Sequence, residues 1–457
     1  MVATRRTRAV DGAEAERDAS AQLTGATRED VGAPAVKEEQ PVTDPAAERA
    51  AARKKKLASL KTRTYSTVVL ILLYGGVVWS GHVPVTCLVM LLQVMIIKEV
   101  FRLGRMDLED HRLPGFRAQQ WYFFAVAAFY LYIRIIKPNI LVQITRNETS
   151  ARLLTWLLHR HLLISYFAYC AGIIAFVLSL KRGLMLYQFA QYAWTHMIIL
   201  VVIVPTSFFV SSTFQGIIWY LMPSMLIIVN DICAYLFGIC FGKTPLIRLS
   251  PKKTWEGFLG GFFSAAVVAF YGSRFLAGFA WMACPREDLS LGPLSCVPSP
   301  VFQDRSFTLQ ELAEEMPGPL EEMLQVSRWL LPSAAVGVMD SWSWTLLPLQ
   351  LHAVPMSIFA SLICPFGGFF ASGLKRAMRL KDFGDTIPGH GGIMDRVDCQ
   401  VLMAIFSSLY YWSYIQPAAP PTVGMLLEEV LSMQREQQLE VIQKLGTMVG
   451  AVSGARA

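Results

Sequence analysis

The chain has 457 residues, of which 54% are hydrophobic and only 16% are charged. Soluble globular domains are about one-quarter charged, so this composition, with a mean hydropathy of +0.41, excludes an ordinary soluble protein and indicates an integral membrane protein. The formal net charge is +7, yet the basic residues lie mainly at the ends of apolar blocks. That position favours anionic lipid or an anionic substrate, so we predict membrane lipid and no nucleic acid among the partners.

Residues 1–63 form a polar segment ahead of the first apolar block. They are rich in Ala, Glu, Arg and Thr and poor in aromatic residues. Such a segment cannot bury a core, so we predict a disordered N-terminal tail. Cations gather at 53–63, just before the first apolar block, and the positive-inside rule therefore places this tail in the cytoplasm.

Residues 64–420 are predicted to form a polytopic, all-α membrane domain with about nine transmembrane helices, since a helix needs roughly 20 apolar residues to cross the hydrocarbon. The predicted spans are 64–81, 83–99, 120–137, 161–180, 192–210, 213–230, 258–279, 353–374 and 398–416. The eighth contains Pro355, Pro365, Gly367 and Gly368, which predict a broken helix that packs in protein or lines a cavity. Residues 421–457 are predicted to be a C-terminal amphipathic segment.

If the tail is cytoplasmic and each predicted span crosses the membrane once, the side of the membrane on which each loop lies can be predicted. The loops expected in the cytoplasm are 101–119, 181–191, 242–257 and 375–397. Loops 138–160 and 280–352 are then lumenal. The first holds a glycosylation triplet at Asn147, and the second holds Cys284 and Cys296, which fit either a disulfide or two free thiols.

Segment 372–398 carries a group of charged residues of both signs between two predicted spans. Its 27 residues include four Asp, five Lys or Arg and one His, and charges at a membrane boundary indicate function. If a helix continues over 372–382, then Ser372, Lys375, Arg379 and Asp382 share one face. Pro388 and the glycines at 389, 391 and 392 then end the helix and let the backbone approach a ligand closely.

The residue types in this segment suit phosphate and a hard cation. Carboxylate oxygens are the ligands that Mg²⁺ prefers, and it completes its shell with phosphate and water. The carboxylates in question are Asp382, Asp395 and Asp398, and the cations able to neutralise phosphates are Lys375, Arg376, Lys381 and Arg396. A cytoplasmic loop obeying the positive-inside rule would explain the cations, but not four Asp or the Gly-His-Gly-Gly turn.

Segment 372–398 resembles the sequence pattern of CDP-diacylglycerol synthases (phosphatidate cytidylyltransferases). Every fixed position of that pattern is met, by Ser372, Lys375, Arg376, Lys381, Asp382, Gly384, Pro388, His390, Gly391, Gly392, Asp395, Arg396 and Asp398. The stretch 230–257, which ends in the run Ser-Pro-Lys-Lys-Thr-Trp-Glu-Gly at 250–257, looks like a second motif of the same family. The resemblance extends over about residues 60–445 and is nearest to the eukaryotic, endoplasmic-reticulum type.

The second motif adds four candidate residues. Asp231 ends an apolar span and is either a metal ligand or a helix-end group facing water. Lys252 and Lys253 are candidates for holding the CTP phosphates. Trp255 either stacks on a base or anchors the helix at the membrane interface.

The resemblance implies an enzyme that makes CDP-diacylglycerol and pyrophosphate from CTP and phosphatidate, with Mg²⁺, at the cytoplasmic face of the endoplasmic reticulum membrane. The catalytic residues it implies are Lys375, Arg376, Lys381, Asp382, His390, Asp395 and Arg396. Substrate binding falls to Ser372, Lys252, Lys253, Trp255, Gly391 and Gly392, and metal binding to Asp231, Asp382, Asp395 and Asp398. Phosphatidate is already ionised at neutral pH, so His390 is expected to support the turn or donate to a phosphate rather than act as a base.

Two other functions compete with this one. A CTP-using membrane kinase, such as a polyisoprenol kinase, would transfer the γ-phosphoryl group and release CDP instead of pyrophosphate. An ion transporter would carry charges deep inside several spans, whereas here they cluster beside loops. The oligomeric state stays open, and a homodimer is among the possibilities.

Overall fold

The computed structural model describes residues 64–104, 113, 115–145, 151–247, 250–292, 294–308, 311, 342–387, 391–416 and 423–454. These residues fold mainly into α-helices, and seven helices are long and apolar enough to cross a membrane, which confirms the predicted all-α membrane fold. The predicted count of nine is not confirmed, because the helices Thr64–Trp79 and Gln400–Tyr410 are shorter than a spanning helix. The tail 1–63 and Asn147 lie outside the described residues.

The helices are numbered here in chain order. They are α1 (Thr64–Trp79), α2 (His82–Leu103), α3 (Phe116–Thr145), α4 (Ala151–Leu178), α5 (Met185–Ile198), α6 (Val204–Gln215), α7 (Ile218–Phe241), α8 (Trp255–Ala277), α9 (Ala280–Ala283), α10 (Pro348–Leu362), α11 (Pro365–Ala377), α12 (Met394–Val397), α13 (Gln400–Tyr410), α14 (Val423–Ser432) and α15 (Arg435–Gly454). A π-helical turn joins α5 to α6 over Ile199–Ile203, and a second one, Tyr411–Ile415, follows α13.

The described residues also form two antiparallel two-stranded sheets, the first of which is a hairpin. The first pairs β1 (Pro245–Ile247) with β2 (Ser250–Thr254) between α7 and α8. The second pairs β3 (Arg305–Thr308) with β4 (Ser343–Leu346) between α8 and α10. In the same connection Cys284 and Cys296 form a disulfide, which decides between the two alternatives left open by the sequence.

The predicted break of the eighth span is present at Pro365. Helix α10 ends at Leu362 and α11 begins at Pro365, whose ring nitrogen has no hydrogen to donate. The Cys364 N–H reaches back to the Phe359 carbonyl at 3.1 Å. Pro355 lies inside α10 and does not end it, so only one of the two prolines interrupts the span.

Helices α7 and α8 pack closely because glycines of α8 face α7. A Cβ on Gly257 would lie 2.6 Å from the Ala234 carbonyl oxygen, and one on Gly261 would lie 2.8 Å from Asn230 Oδ1. Small residues that let backbones approach are a common basis of helix association in lipid. This packing fixes Asp231, the neighbour of Asn230, relative to the start of α8.

The C-terminal segment contains two helices instead of one. Helix α14 ends at Ser432 and α15 begins at Arg435. In α15 the apolar side chains of Leu439, Ile442 and Leu445 are exposed, and their spacing of three places them along one face.

Candidate active site

The predicted site residues gather where the C-terminal ends of α2, α7 and α11 meet the N-terminal ends of α8 and α13. Hairpin β1–β2 lies beside them. Its position is fixed by Glu256 in the first turn of α8, which accepts hydrogen bonds from the Lys243 N–H at 3.1 Å and the Thr244 N–H at 3.2 Å. Thr254 caps α8 by accepting from the Gly257 N–H at 3.3 Å, as a helix N-cap threonine commonly does.

These contacts place two residues of the run 250–257, Lys253 and Trp255. Lys253 Nζ lies 4.5 Å from the centroid of the Phe369 ring, a cation–π contact that joins the hairpin to α11. Trp255 is 49% exposed at the start of α8, and its ring stands edge-on to Phe258. The Lys252 side chain lies outside what the structure describes.

Asp231 and Asp398 come together although they are far apart in the chain. Asp231 is exposed in the C-terminal half of α7, and it interacts electrostatically with Lys253, Asp398 and Arg396. Asp398 also interacts with Lys375 and Lys253. Two carboxylates and three cations therefore share one region.

The donor chemistry of this pair fits Mg²⁺, which is usually bound through one or two carboxylates together with substrate phosphates. Among the residues that the structure describes, no group of three or more His, Cys, Asp or Glu is arranged to hold a metal. The four predicted metal-binding carboxylates thus do not assemble as one cluster. Asp231 and Asp398 are the pair that the structure brings together.

Asp395 holds the site loop together. Its Oδ1 accepts from Lys375 Nζ at 2.5 Å, while Oδ2 accepts from the Phe383 N–H at 2.9 Å and the Gly392 N–H at 3.2 Å. The Lys375 and Asp395 side chains are only 14% and 7% exposed. Lys375 Nζ also lies 5.2 Å from the centroid of the Phe383 ring. Both oxygens of Asp395 are therefore engaged within the chain, and the carboxylate positions Lys375 and the loop.

Glu99 is the second carboxylate that holds this loop, and the sequence interpretation missed it. It is buried near the end of α2 and accepts from the Thr386 hydroxyl, from the Ile393 N–H at 3.1 Å and from the Met394 N–H at 3.1 Å. It thereby satisfies backbone donors at the start of α12. An ionisable residue in an apolar block is a functional signal, but at the end of span 83–99 Glu99 resembled an ordinary boundary charge.

The glycines of the loop are required by these two carboxylates. A Cβ on Gly392 would lie 2.9 Å from Glu99 Oε2 and 3.0 Å from Asp395 Oδ2, and a Cβ on Gly384 would lie 3.0 Å from Glu99 Oε1. Gly391 has a φ of +81°, a conformation that glycine adopts without strain. The predicted close approach of backbone is thus present, but its partners are side chains of the protein.

The predicted helix over 372–382 is wrong. Helix α11 ends at Ala377, and Arg379 has a φ of +56°. The Arg379 N–H bonds to the Arg376 carbonyl at 3.1 Å and the Leu380 N–H to the Lys375 carbonyl at 2.8 Å, which is the hydrogen-bond pattern of a Schellman helix end. Ser372 and Lys375 therefore belong to α11, whereas Arg379 and Asp382 lie beyond it.

Two glycines of α11 let Asp398 come close. A Cβ on Gly367 would lie 2.5 Å from the Asp398 carbonyl oxygen, and one on Gly368 would lie 3.5 Å from Asp398 Oδ2. Asp398 Oδ1 also accepts from the Cys399 N–H at 2.8 Å. The glycines that follow Pro365 thus hold the start of α13 against α11.

The remaining predicted residues line the same loop with fewer described contacts. Ser372 is partly buried in α11, and the residues that are exposed are Arg376, Lys381, Asp382 and Arg396. Asp382 lies beside Gly391, whose Cβ would be 3.5 Å from the Asp382 carboxyl carbon. The Ile387 N–H closes the turn by bonding to the Gly391 carbonyl at 2.9 Å. His390, inside this turn, lies outside the described residues.

The chain is similar to phosphatidate cytidylyltransferases over most of its length. A sequence profile of the cytidylyltransferase family matches residues 61–414. Phosphatidate cytidylyltransferase 1 of Arabidopsis thaliana is 43% identical over 395 residues, which are 86% of this chain and 88% of that protein. Phosphatidate cytidylyltransferase 1 of Homo sapiens is 39% identical over 384 residues, 83% of this chain and 77% of that protein. Phosphatidate cytidylyltransferase 2 of Mus musculus is 37% identical over 383 residues, 83% of this chain and 80% of that protein.

The family profile covers the described spans from α1 to α13, the hairpin β1–β2 and the whole of segment 372–398. The family predicted from the motifs is therefore confirmed, and the chain belongs to the cytidylyltransferase family.

Proposed function

We propose that this chain transfers the cytidylyl group of CTP to phosphatidate and releases pyrophosphate. The observation that carries the proposal is the meeting of Asp231, Asp398, Lys253 and Arg396 beside the site loop. Both substrates are polyanions, and one of them is a lipid. A charged site at the boundary of a membrane domain suits a reaction between a soluble nucleotide and a headgroup that stays in the bilayer.

The reaction places little covalent work on the protein. A non-bridging oxygen of the phosphatidate phosphate forms a bond to the α-phosphorus of CTP, the bond from that phosphorus to the bridging oxygen breaks, and the electron pair leaves with pyrophosphate. The attacking phosphate is already ionised at neutral pH, so no side chain has to remove a proton. The protein must position two anions in line and offset their repulsion.

Lys253, Arg396 and Lys375 are the described cations best placed for that task. Lys253 is held over the Phe369 ring on one side of the site, and Lys375 is held by Asp395 on another. Because both ammonium groups are fixed before substrate arrives, less side-chain entropy is lost when phosphates bind. Lys252, Arg376 and Lys381 remain predicted phosphate contacts.

We propose that Asp231 and Asp398 hold Mg²⁺, because the two carboxylates approach each other beside cations that bind phosphate. When bound, the ion would neutralise charge on the phosphates during transfer. Asp382 remains a predicted ligand on the exposed side of the loop. Asp395 acts on the reaction by positioning Lys375.

We also propose that the site faces the cytoplasm from the endoplasmic reticulum membrane. The Cys284–Cys296 disulfide lies in the connection after α8, whereas the site lies at the start of α8. A disulfide persists in an oxidising compartment, so the end of the protein that carries Cys284 and Cys296 suits the lumen. The opposite end, which carries the site, then faces the cytoplasm. A membrane-impermeant maleimide tests the orientation by labelling single cysteines placed at 182 and at 303 in sealed microsomes. The homodimer stays a prediction.

The activity is tested with the purified full chain, phosphatidate, Mg²⁺ and CTP labelled separately at the α- and γ-phosphorus. The expected result is transfer of the α-label to lipid and release of the γ-label in pyrophosphate. Transfer of the γ-label to lipid would establish a kinase instead. Asp231→Asn should abolish transfer, and Asp304→Asn, an exposed carboxylate after α8, should leave it intact.

A further inference from the structure

A cavity lies at the opposite end of the helices from the candidate active site. It has a volume of about 510 Å³ and is lined by the C-terminal parts of α3 and α6, by the connection that follows α9 and by Trp412. Helix α8 has 23 residues between the two ends, a length of about 35 Å. No residue assigned to the active site lines this cavity.

The cavity wall has a polar and an apolar part. Its polar part includes the residues Arg134, Arg286 and Ser211. Its apolar part includes Leu131 and Phe208, which belong to helices that span the membrane. A pocket that combines these two surfaces suits a molecule with an anionic group and hydrocarbon chains.

Arg286 is built into this site. It is only 3% exposed, its N–H bonds to the Phe214 carbonyl at 2.9 Å, and its carbonyl accepts from Asn139 Nδ2 at 2.7 Å. Its Nη2 donates to the Gly292 carbonyl at 2.6 Å. These bonds fix the residue to α3 and α6 together, so the position of its charge is set before any ligand binds.

Both Nη atoms of Arg286 donate inside the protein, Nη1 to the carbonyl and the hydroxyl of Ser290, so the donor left for a ligand is Nε. Asp288 Oδ1 lies 3.8 Å from its Nη1, and its buried Nε has no hydrogen-bond partner in the described part of the chain. Burial lowers the pKa of the Arg286 guanidinium from its ordinary value, against the opposing charge of Asp288. An anion in the cavity would therefore stabilise the charged form.

We propose that this cavity binds the phosphodiester headgroup of a membrane phospholipid, held by Arg134 and Arg286, with the acyl chains along the apolar wall. Basic pockets between transmembrane helices are a recurrent kind of lipid headgroup site. Glu287 also lines the cavity and Asp288 lies 3.8 Å from Arg286, so two cations are accompanied by two carboxylates and the cavity tolerates little further negative charge. A phosphodiester carries one negative charge, whereas the phosphomonoester of phosphatidate carries more, so we expect a lipid other than the proposed substrate.

Native mass spectrometry of the delipidated full chain tests the proposal independently of turnover. The probes are phosphatidylglycerol, phosphatidate, diacylglycerol and inorganic phosphate, each at the same concentration. We expect phosphatidylglycerol to bind in preference to the other three. Arg134→Gln should weaken its binding by about tenfold, the effect of losing one hydrogen bond to a charged group.

Arg160→Gln is the matched control. Arg160 is an exposed arginine on α4, and it does not line the cavity. Its distance from the start of α4 is similar to the distance of Arg134 from the end of α3. Arg134 is also exposed, and its Nη1 donates to the Tyr130 hydroxyl at 3.2 Å, so its replacement leaves the core packing unchanged. Ser211→Leu, which fills part of the cavity, supplies a second variant that should weaken binding.

Each other outcome overturns the proposal. Equal retention of phosphatidylglycerol by the wild type, both cavity variants and the Arg160→Gln control would show that the lipid binds elsewhere. Equal binding of diacylglycerol would remove the role of the phosphate, and tighter binding of phosphatidate would remove the preference for a diester. Displacement of the lipid by an equal concentration of inorganic phosphate would assign the cavity to a soluble anion.

Discussion

Replacement of Glu99 by Gln should disable the site loop while leaving the membrane domain folded. The two backbone donors, the N–H groups of Ile393 and Met394, point at different oxygens of the carboxylate. A glutamine has one amide oxygen, so either orientation turns an NH₂ group toward one of these two donors. One charge-assisted hydrogen bond is lost and one buried N–H is left without an acceptor.

The size of the effect follows from these contacts. A hydrogen bond to a charged group contributes about 1.5–3 kcal/mol, and a buried unsatisfied donor adds to the loss. A total cost of about 2–3 kcal/mol lowers the population of the ordered loop by up to about 150-fold. Since only the competent fraction binds substrate productively, kcat/KM for CTP should fall by about 30- to 150-fold.

The assay compares kcat, KM and thermal unfolding of Glu99→Gln with those of Lys98→Gln in detergent. Lys98 is the exposed neighbour on α2, and its replacement introduces the same side chain outside the loop. We expect turnover near the wild-type value for Lys98→Gln and a similar Tm for both variants. If Glu99→Gln keeps kcat/KM within threefold of the wild type, Glu99 does not position the loop.

Three further substitutions test the packing and the helix end. Asp395→Asn should abolish turnover in a protein that still inserts, because breaking a buried ion pair leaves Lys375 uncompensated; normal turnover would refute the role of Asp395. Gly257→Ala should lower the Tm through an overpacking cost of about 1–3 kcal/mol. Gly272→Ala is the control and should leave the Tm unchanged, because its Cβ would meet only a Val side chain at 3.5 Å. Equal Tm values for the two variants would contradict the close α7–α8 contact. Arg379→Gly should be more stable than Arg379→Ala by about 1 kcal/mol, because only glycine relieves the left-handed backbone; a calorimetric scan showing the reverse order would refute that helix end.

The apolar spans and the chemistry of segment 372–398 were predictable because each depends on local composition. Blocks of apolar residues predict helices wherever lipid is the solvent. Carboxylates and cations crowded beside a span have few structural explanations, so the segment could be assigned to phosphate and metal chemistry from its residues. Even the interruption before α11 could be predicted, since Pro365 cannot donate a backbone hydrogen bond.

The end of α11 and the role of Glu99 could not be predicted in this way. Arg379 adopts the left-handed conformation although that region favours glycine, so its sequence gives no sign that the helix stops at Ala377. Glu99 is separated from Ile393 by 294 residues, and no local pattern connects α2 with the loop. The role of Glu99 depends on a tertiary contact between α2 and the residues at the start of α12.

The carboxylates of the site divide by what they already contact. Glu99 and Asp395 use their oxygens on backbone N–H groups and on Lys375, so they stabilise the loop whether or not substrate is present. Within the described part of the chain, Asp231 and Asp398 lie instead beside cations and have fewer backbone bonds, one of them to Asp398 Oδ1, so we expect them to be able to meet a metal or a charged substrate. From the motif alone, the acidic residues of the site are equal candidates for metal binding. Their different hydrogen-bond partners explain why one protein needs so many at a membrane boundary, where every charge is costly.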